Sequence, residues 1–499
     1  MKPLKWLGLA LCVALFVVLG NSNLFAKAAT TEAKHYTELE FSSPPEVTLP
    51  EYEKYQLDNG LTIYLIEDHE FPLVSGTAIF RTGSRLEPSD QVGLASLTGT
   101  VMRSGGTTDH SADELNQILE QRAASIETGI NTTSGNANFD CLTQDLDTVF
   151  NLFAEVIQKP AFAEDKFALA KQQKKGSISR RNDDPGDIAD REFQKLIYGD
   201  NNPYGRTPEY KTLANVSRAD VVDFYKRYIR PEETLLGIVG DFDAKEMRDR
   251  AAKAFANWDV STPKPDYETS NIEQAKTDGI YFVEQPQLSQ SYIELGHLGG
   301  TLDNPDYPAL QVLNGALNGL GGTLTNDLRS RQGLAYSVYG VWSARYDYPG
   351  YFIAGGQTRS EATVPFIQSM MTEIEKVREA PLSDAQLEYA KESILNSFIF
   401  NFQQPSQTLS RLMRYDYYGY PPDFIFQFQE GVKQTTKAEV QRVANTYLQP
   451  EKMVKLVVGN SDRINPDLSQ LEEEVTAVDI SIPQPISQNK QFPVLKKID

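Results

Sequence analysis

Hydrophobic positions near the start of the folded part alternate first and become helical later. After Asp58-Asn59-Gly60, a turn sequence, Leu61–Glu67 alternates with the period of a strand. Val74–Arg81 follows as a second strand. The spacing then changes, and Gly93–Arg103 and Ala112–Ala124 read as helices. So does 164–181, which ends near Asp183-Asp184-Pro185, where a proline halts the pattern.

The pattern then repeats. Residues 219–243 align without a gap to 438–462, with identities that include Ala219/Ala438, Val221/Val440, Tyr228/Tyr447, Pro231/Pro450 and Gly240/Gly459. Each copy opens on a helix N-cap, Ser217 or Thr436, because a hydroxyl can accept from the first free backbone N–H groups. Each runs on as an amphipathic helix, stops at proline and enters a short apolar strand, Thr234–Val239 or Met453–Val458. The shared punctuation predicts a duplicated unit.

Residues 259–275 carry two prolines and no sustained periodicity, and so read as a linker. The expected fold class is α+β: two homologous domains, 51–258 and 276–470, each an antiparallel sheet packed with helices. A chain of 499 residues is too long for one core, which agrees with this division. Residues 29–50 and 471–499 are polar and contain proline. They read as extended arms on the surface or as disordered ends.

Residues 1–28 have the form of a cleavable secretory signal: Lys2 and Lys5, an apolar stretch from Trp6 to Leu19, and Ala26-Lys27-Ala28 as the cleavage site. An uncleaved anchor is the other reading, but the apolar stretch is short for a bilayer. Leu11 before Cys12 argues against a lipoprotein. Cleavage removes Lys2, Lys5 and Lys27 and no acid, so the net charge moves from −20 to −23. Such a surface repels nucleic acid and anionic lipid. Cys141 would then be the one cysteine left, which excludes an intrachain disulfide and a cysteine metal site. The expected location is exported, in a bacterial periplasm or cell envelope, with no stable membrane span after cleavage.

Candidate chemistry lies in Leu328-Arg329-Ser330-Arg331-Gln332-Gly333-Leu334-Ala335-Tyr336. Gly321-Gly322 makes a turn, Thr323 or Thr325 can cap a short helix, and Gly333 ends it. Arg329 then lies on the helix and Tyr336 on the strand that follows. From the residues alone, a surface charge and a core aromatic are the favoured reading over a functional pair. The histidines His35, His69, His110 and His297 show no spacing of three or four that would place two on one helical face.

This stretch resembles the second-half signature of the pitrilysin/insulinase zinc peptidases, in which an arginine and a tyrosine at this spacing grip a peptide. Asp58-Asn59-Gly60-Leu61, Phe80-Arg81-Thr82-Gly83 and Gly93-Leu94-Ala95 resemble the family's opening hairpin and its approach to the zinc helix. The length is similar to that of the shorter members, related to mitochondrial processing peptidase. The resemblance implies two similar domains facing each other across a peptide-holding cavity, as one half of a clamshell. Active members bind zinc through an H-x-x-E-H helix and a distal glutamate. In register, the two histidines are Ser96 and Thr100, the catalytic glutamate is Gly99, and the distal ligand falls at Gly176 or Ser177. All four groups are missing together, so no cofactor is expected in this chain.

The resemblance therefore implies a non-zinc subunit of an exported heterodimeric peptidase, with zinc held by a homologous partner that carries H-x-x-E-H. Arg329 and Tyr336 would act in trans on the partner's peptide substrate, and Gly321 and Gly322 would touch the peptide. An inactive peptide-binding or scaffold protein of the envelope is the alternative. An autonomous enzyme finds no nucleophile–base motif in the chain.

Overall fold

A computed structural model describes residues 47–258, 263–265 and 271–483. The signal-like segment 1–28, the arm up to residue 46, part of the 259–275 linker and the end of the tail lie outside the described residues. In the first half the order is β1 (Glu53–Gln56), β2 (Thr62–Glu67), β3 (Leu73–Phe80), α1 (Leu94–Ser104), α2 (Ala112–Glu120), β4 (Ser125–Ile130) and β5 (Gly135–Leu142). There follow α3 (Leu146–Gln158), α4 (Glu164–Ser179), α5 (Pro185–Tyr198), α6 (Tyr210–Asn215), α7 (Arg218–Tyr228), β6 (Thr234–Gly240) and α8 (Ala244–Phe255).

The second half runs β7 (Ile280–Glu284), β8 (Gln290–Leu298), α9 (Tyr307–Leu317), a π-helix (Thr325–Arg331), β9 (Ala335–Ser343) and β10 (Tyr351–Arg359). It continues as α10 (Thr363–Glu379), α11 (Asp384–Ser397), α12 (Pro405–Tyr418), α13 (Phe424–Gln434), α14 (Lys437–Tyr447), β11 (Val454–Gly459) and β12 (Val475–Ala477).

The two sheets share one topology over five strands and differ in the sixth, an edge strand antiparallel in the first sheet and parallel in the second. Their strand orders are β1-β2-β6-β3-β5-β4 and β12-β7-β11-β8-β10-β9, so β2 to β6 correspond in turn to β7 to β11. The matched units of 219–243 and 438–462 occupy equivalent places, α7 with β6 and α14 with β11. Ser217 and Thr436 both form capping boxes, with Asp220 and Glu439 at the third helical position. Most strand pairings are antiparallel, as expected, but one inner pairing in each sheet is not. β2 and β6 run parallel, as do β7 and β11, because each closing strand returns through a long helical crossover. The polar tail also does more than wrap the surface: Val475–Ala477 adds a parallel edge strand beside β7.

Each half lends a helix to the other. Helix α5, from the first half, lays Ile188, Phe193 and Ile197 against Val283, Val454 and Leu456 of the second sheet. Helix α12, from the second half, lays Leu409, Met413 and Tyr417 against Tyr64, Ile79 and Val239 of the first. Glycines make the room: a Cβ at Gly237 would collide with Met413 Sδ, and one at Gly296 with the Phe193 ring. Both halves belong to one compact unit that begins at Leu49.

Candidate functional site

The helix in register with the zinc-binding helix is α1, which packs against edge strand β4 and against α4. Its N-terminus is closed by a buried carboxylate. Glu87 accepts from the backbone nitrogens of Gly93 (3.0 Å) and Ala95 (2.8 Å), two donors that a helix start leaves free. Burial pushes the Glu87 pKa up, and these backbone bonds and Arg206 offset part of that rise.

None of the expected ligand positions offers a ligand. Ser96 Oγ donates to Gly93 O (3.1 Å) and Thr100 Oγ1 to Ser96 O (2.9 Å), so both hydroxyls bond back to their own helix. Ser177 Oγ does the same toward Gln173 O in α4. Gly99 is buried against β4, where a Cβ would lie 2.7 Å from the Gly129 carbonyl carbon. Thr128 Oγ1 donates to Gly99 O at 2.6 Å, which ties the helix to the strand at that point. A glutamate at 99 therefore has no room: the packing of α1 has closed the position as well as the substitution. The cavity beside Ser96 is lined by Lys174 and Arg206 together with Glu87, so its basic side chains outnumber its one carboxylate, which is already taken up by the start of α1. Among the described residues no group of three or more His, Cys, Asp or Glu side chains could hold a metal ion. These residues do not fit zinc.

The second-half motif is built differently from expectation in two respects. The short helix is a π-helix, Thr325–Arg331, a geometry uncommon in proteins and frequent at functional sites. Neither threonine caps it. Leu324 is the N-cap residue, without a side-chain bond, and Thr323 Oγ1 is buried without a partner. Asp327, buried, does the holding: it accepts from Arg331 Nη1 (2.9 Å) and from Gln332 Nε2 (2.6 Å). Gly333 then turns the chain in the left-handed region (φ 63°), as a residue just past a helix end often does.

Arg329 and Tyr336 come together on the surface. The Arg329 guanidinium lies 5.0 Å from the Tyr336 ring centroid, and the tyrosine is 85% exposed. The core-aromatic reading of Tyr336 is thus excluded, and neither side chain is buried in the fold. The glycine loop sits close by in sequence and is built for tight packing. Gly321 N donates to the Tyr389 hydroxyl of α11 (3.0 Å), and a Cβ at Gly321 would meet that ring, while one at buried Gly322 would meet the Leu317 and Asn318 carbonyls. Leu320 at the loop tip is 82% exposed.

Two residues that the motif did not single out close the edge of the second sheet. Asn314 in α9 bonds both backbone groups of Trp342 (2.8 and 3.0 Å), and Asn318 bonds both of Gly340 (3.0 and 2.7 Å). Their spacing of four, with Asn314 on α9 and Asn318 as the residue that closes it, was the available signal. His35 lies outside the described residues, and the described histidines bond to neighbours within the fold. His69 is exposed and pairs with Asp241 (2.8 Å). His297 is buried, and its Nε2 accepts from Gln449 N (3.1 Å).

A pair of six-stranded mixed sheets that share one topology over five strands, one half carrying an exposed Arg–Tyr pair and the other an emptied ligand helix, defines a two-domain peptidase-like protein. The family model described as Insulinase (Peptidase family M16) matches residues 63–202, and that described as Peptidase M16 inactive domain matches residues 215–394. The chain belongs to the M16 peptidase family. An "uncharacterized zinc protease" of Rickettsia felis is 25% identical over 335 residues, 65% of this chain and 77% of the relative. A "non-peptidase homolog" (YmxG) of Helicobacter pylori is 20% identical over 404 residues, 80% of this chain and 91% of the relative. The crystal structure of a peptidase M16 inactive domain from Pseudomonas fluorescens matches in fold with a TM-score of 0.74. It is 23% identical, over 83% of this chain and 99% of that one. No helix among the described residues is long and apolar enough to cross a membrane.

Proposed function

We propose that this chain is the non-zinc subunit of an exported heterodimeric M16 peptidase. Its partner is a homologous chain that carries H-x-x-E-H and the zinc, and the two close around a peptide as the halves of a clamshell. Arg329 and Tyr336 reach the partner's site, where a guanidinium and a phenol donate to the oxygen that gains charge when a peptide carbonyl is attacked. Gly321 and Gly322 let the loop approach the peptide backbone. The observation that carries this reading is the exposed Arg329–Tyr336 stack, present in a chain whose own ligand positions carry no ligand and whose position 99 is closed by packing. The signal-like N-terminus supports export to the periplasm or envelope.

The test is reconstitution with an H-x-x-E-H homologue encoded in the same genome. Zinc-dependent peptide hydrolysis should appear only with both chains, which should co-elute. Full activity of the partner alone, or failure of the two to associate, would sink the proposal. The H. pylori relative, a non-peptidase homolog by name, favours a second reading, an inactive peptide-binding or scaffold protein. Peptide binding without any gain in hydrolysis would select it.

A further inference from the structure

A second polar cavity, of about 410 Å³, lies where the two halves meet. Its floor is the first sheet, with Asn136 and Asn138 on β5, and its walls are the loop that joins β9 to β10 and helix α12. The walls are stiff. Tyr346 stacks on Tyr418 (centroids 4.6 Å, interplanar 8°), and Tyr348 stacks on Tyr204 (4.0 Å, 16°). Tyr417 donates to Thr133 O (2.8 Å), and Thr133 Oγ1 bonds the Tyr418 hydroxyl (2.9 Å), which fastens α12 to the β4–β5 turn.

The charge of this cavity opposes that of the protein. The chain carries −20 overall, yet the cavity's charged groups are Arg345, Arg414 and Asp347. Asp347 is already paired, with Arg85 at 2.5 Å. Among the described residues Arg345 donates only to the Tyr351 hydroxyl, at 3.5 Å, and its Nε is buried without a partner. Arg414 makes no ion pair or hydrogen bond among the described residues. Two guanidinium groups therefore face a stiff polar hollow with most of their donors unspent. Two asparagine amides stand opposite, able to give to a carbonyl and take from an N–H as a peptide backbone requires.

We propose that this cavity is a carboxylate-binding subsite, in which Arg345 and Arg414 hold an acidic group of an extended peptide while Asn136 and Asn138 bond its backbone. Guanidinium is the side chain best shaped for a carboxylate, and a fixed wall spares the ordering cost of binding. The proposal rests on the reading of the chain as a peptide holder and names what it selects. The carboxylate is either an acidic side chain or a peptide C-terminus.

Every group that lines the cavity belongs to this chain, so the full-length protein alone is the material for the test. The probes are a dye-labelled, acetylated and amidated peptide with one central Glu, its Gln counterpart, and the Gln peptide with a free C-terminal carboxylate. Fluorescence polarisation should show one charged peptide bound about tenfold more tightly than the neutral one, as a charged hydrogen bond allows. Which charged peptide gains identifies the carboxylate. Arg414→Gln should abolish the difference, and Arg180→Gln, on an exposed helix end, should leave it. Equal binding of all three peptides, a preference that survives Arg414→Gln, or equal losses in both variants would overturn the proposal and leave peptide holding intact. Failure to bind any of the peptides would overturn the peptide-holding reading itself.

Discussion

The Arg329 guanidinium and the Tyr336 ring stack 5.0 Å apart on a surface where neither is buried. An exposed pair of this kind contributes only about 0.5–1 kcal/mol to folding. Asp327 and Gly333 shape the backbone that brings the two together, so the pair is positioned by the fold and barely supports it.

That asymmetry gives the first prediction. In a reconstituted complex, Tyr336→Phe removes one hydroxyl and little volume, so assembly should survive. Turnover should fall by roughly 10²–10³, about 3–4 kcal/mol, if the hydroxyl meets the developing oxyanion. Arg329→Ala should act similarly, and the double variant should lose less than the sum. The unfolding free energies of the isolated variants, from urea titration, should stay within about 1 kcal/mol of the parent. Full peptidase activity in the double variant would show the motif to be passive.

Two glycines at expected ligand positions make a matched pair. Gly99 is packed on β4, whereas a Cβ at Gly176 meets nothing within 4 Å. Gly99→Ala should destabilise by about 1–3 kcal/mol through overpacking. Gly176→Ala, inside α4, should stabilise by about 0.5–1 kcal/mol, the helix-propensity gain. For the same reason Ser96→His, Gly99→Glu and Thr100→His together should not rebuild a zinc site. Metal analysis that found one tightly held zinc in that variant would refute the packing argument.

Much of the scaffold was legible, because local chemistry decides it. The Asp58-Asn59-Gly60 turn, the caps at Ser217 and Thr436 and the prolines at 231 and 450 act within a few residues, and each marks an element boundary in the structure. The emptied ligand helix was legible by register. Tyr336 was not, since an aromatic at the start of a strand reads equally as core or surface, and β9 is an edge. The exchange of α5 and α12 was hidden as well: an amphipathic stripe states that a face is buried but not against which sheet. Arg345 and Asn136 lie far apart in the chain and share a cavity only through the tertiary fold.

Glu294 of β8 should make stability fall with rising pH. Burial pushes its pKa up to about 9, helped by a hydrogen bond to Asp190 of α5 and by that residue's charge. The folded state therefore holds a proton that the unfolded state has released. This stabilisation is full below the ordinary value of 4.5 and is lost as pH climbs toward 9. The loss should approach about 1.4 kcal/mol per pH unit across that window. Glu294→Gln keeps the shape and removes the titration, so its stability relative to the parent should rise with pH. Parallel stability–pH curves for the two proteins would show that Glu294 is not held neutral.

The reciprocal helices bear on how the chain folds. Phe193 is buried against the second sheet and Met413 against the first, each outside the core of its own half. Phe193→Ala should cost about 3–5 kcal/mol and Met413→Ala about 2–5 kcal/mol, as buried residues do. Residues 29–265 or 266–499 made alone would each leave one sheet face without its cover and one apolar helix without its groove. Each should aggregate, because patches of that size are not tolerated on soluble monomers. Co-expressed, the two pieces should associate and elute together at the size of the whole chain. Two pieces that stay soluble and monomeric apart would show that the borrowed helices are dispensable, and the cavity between the halves would then lose its claim to fixed walls.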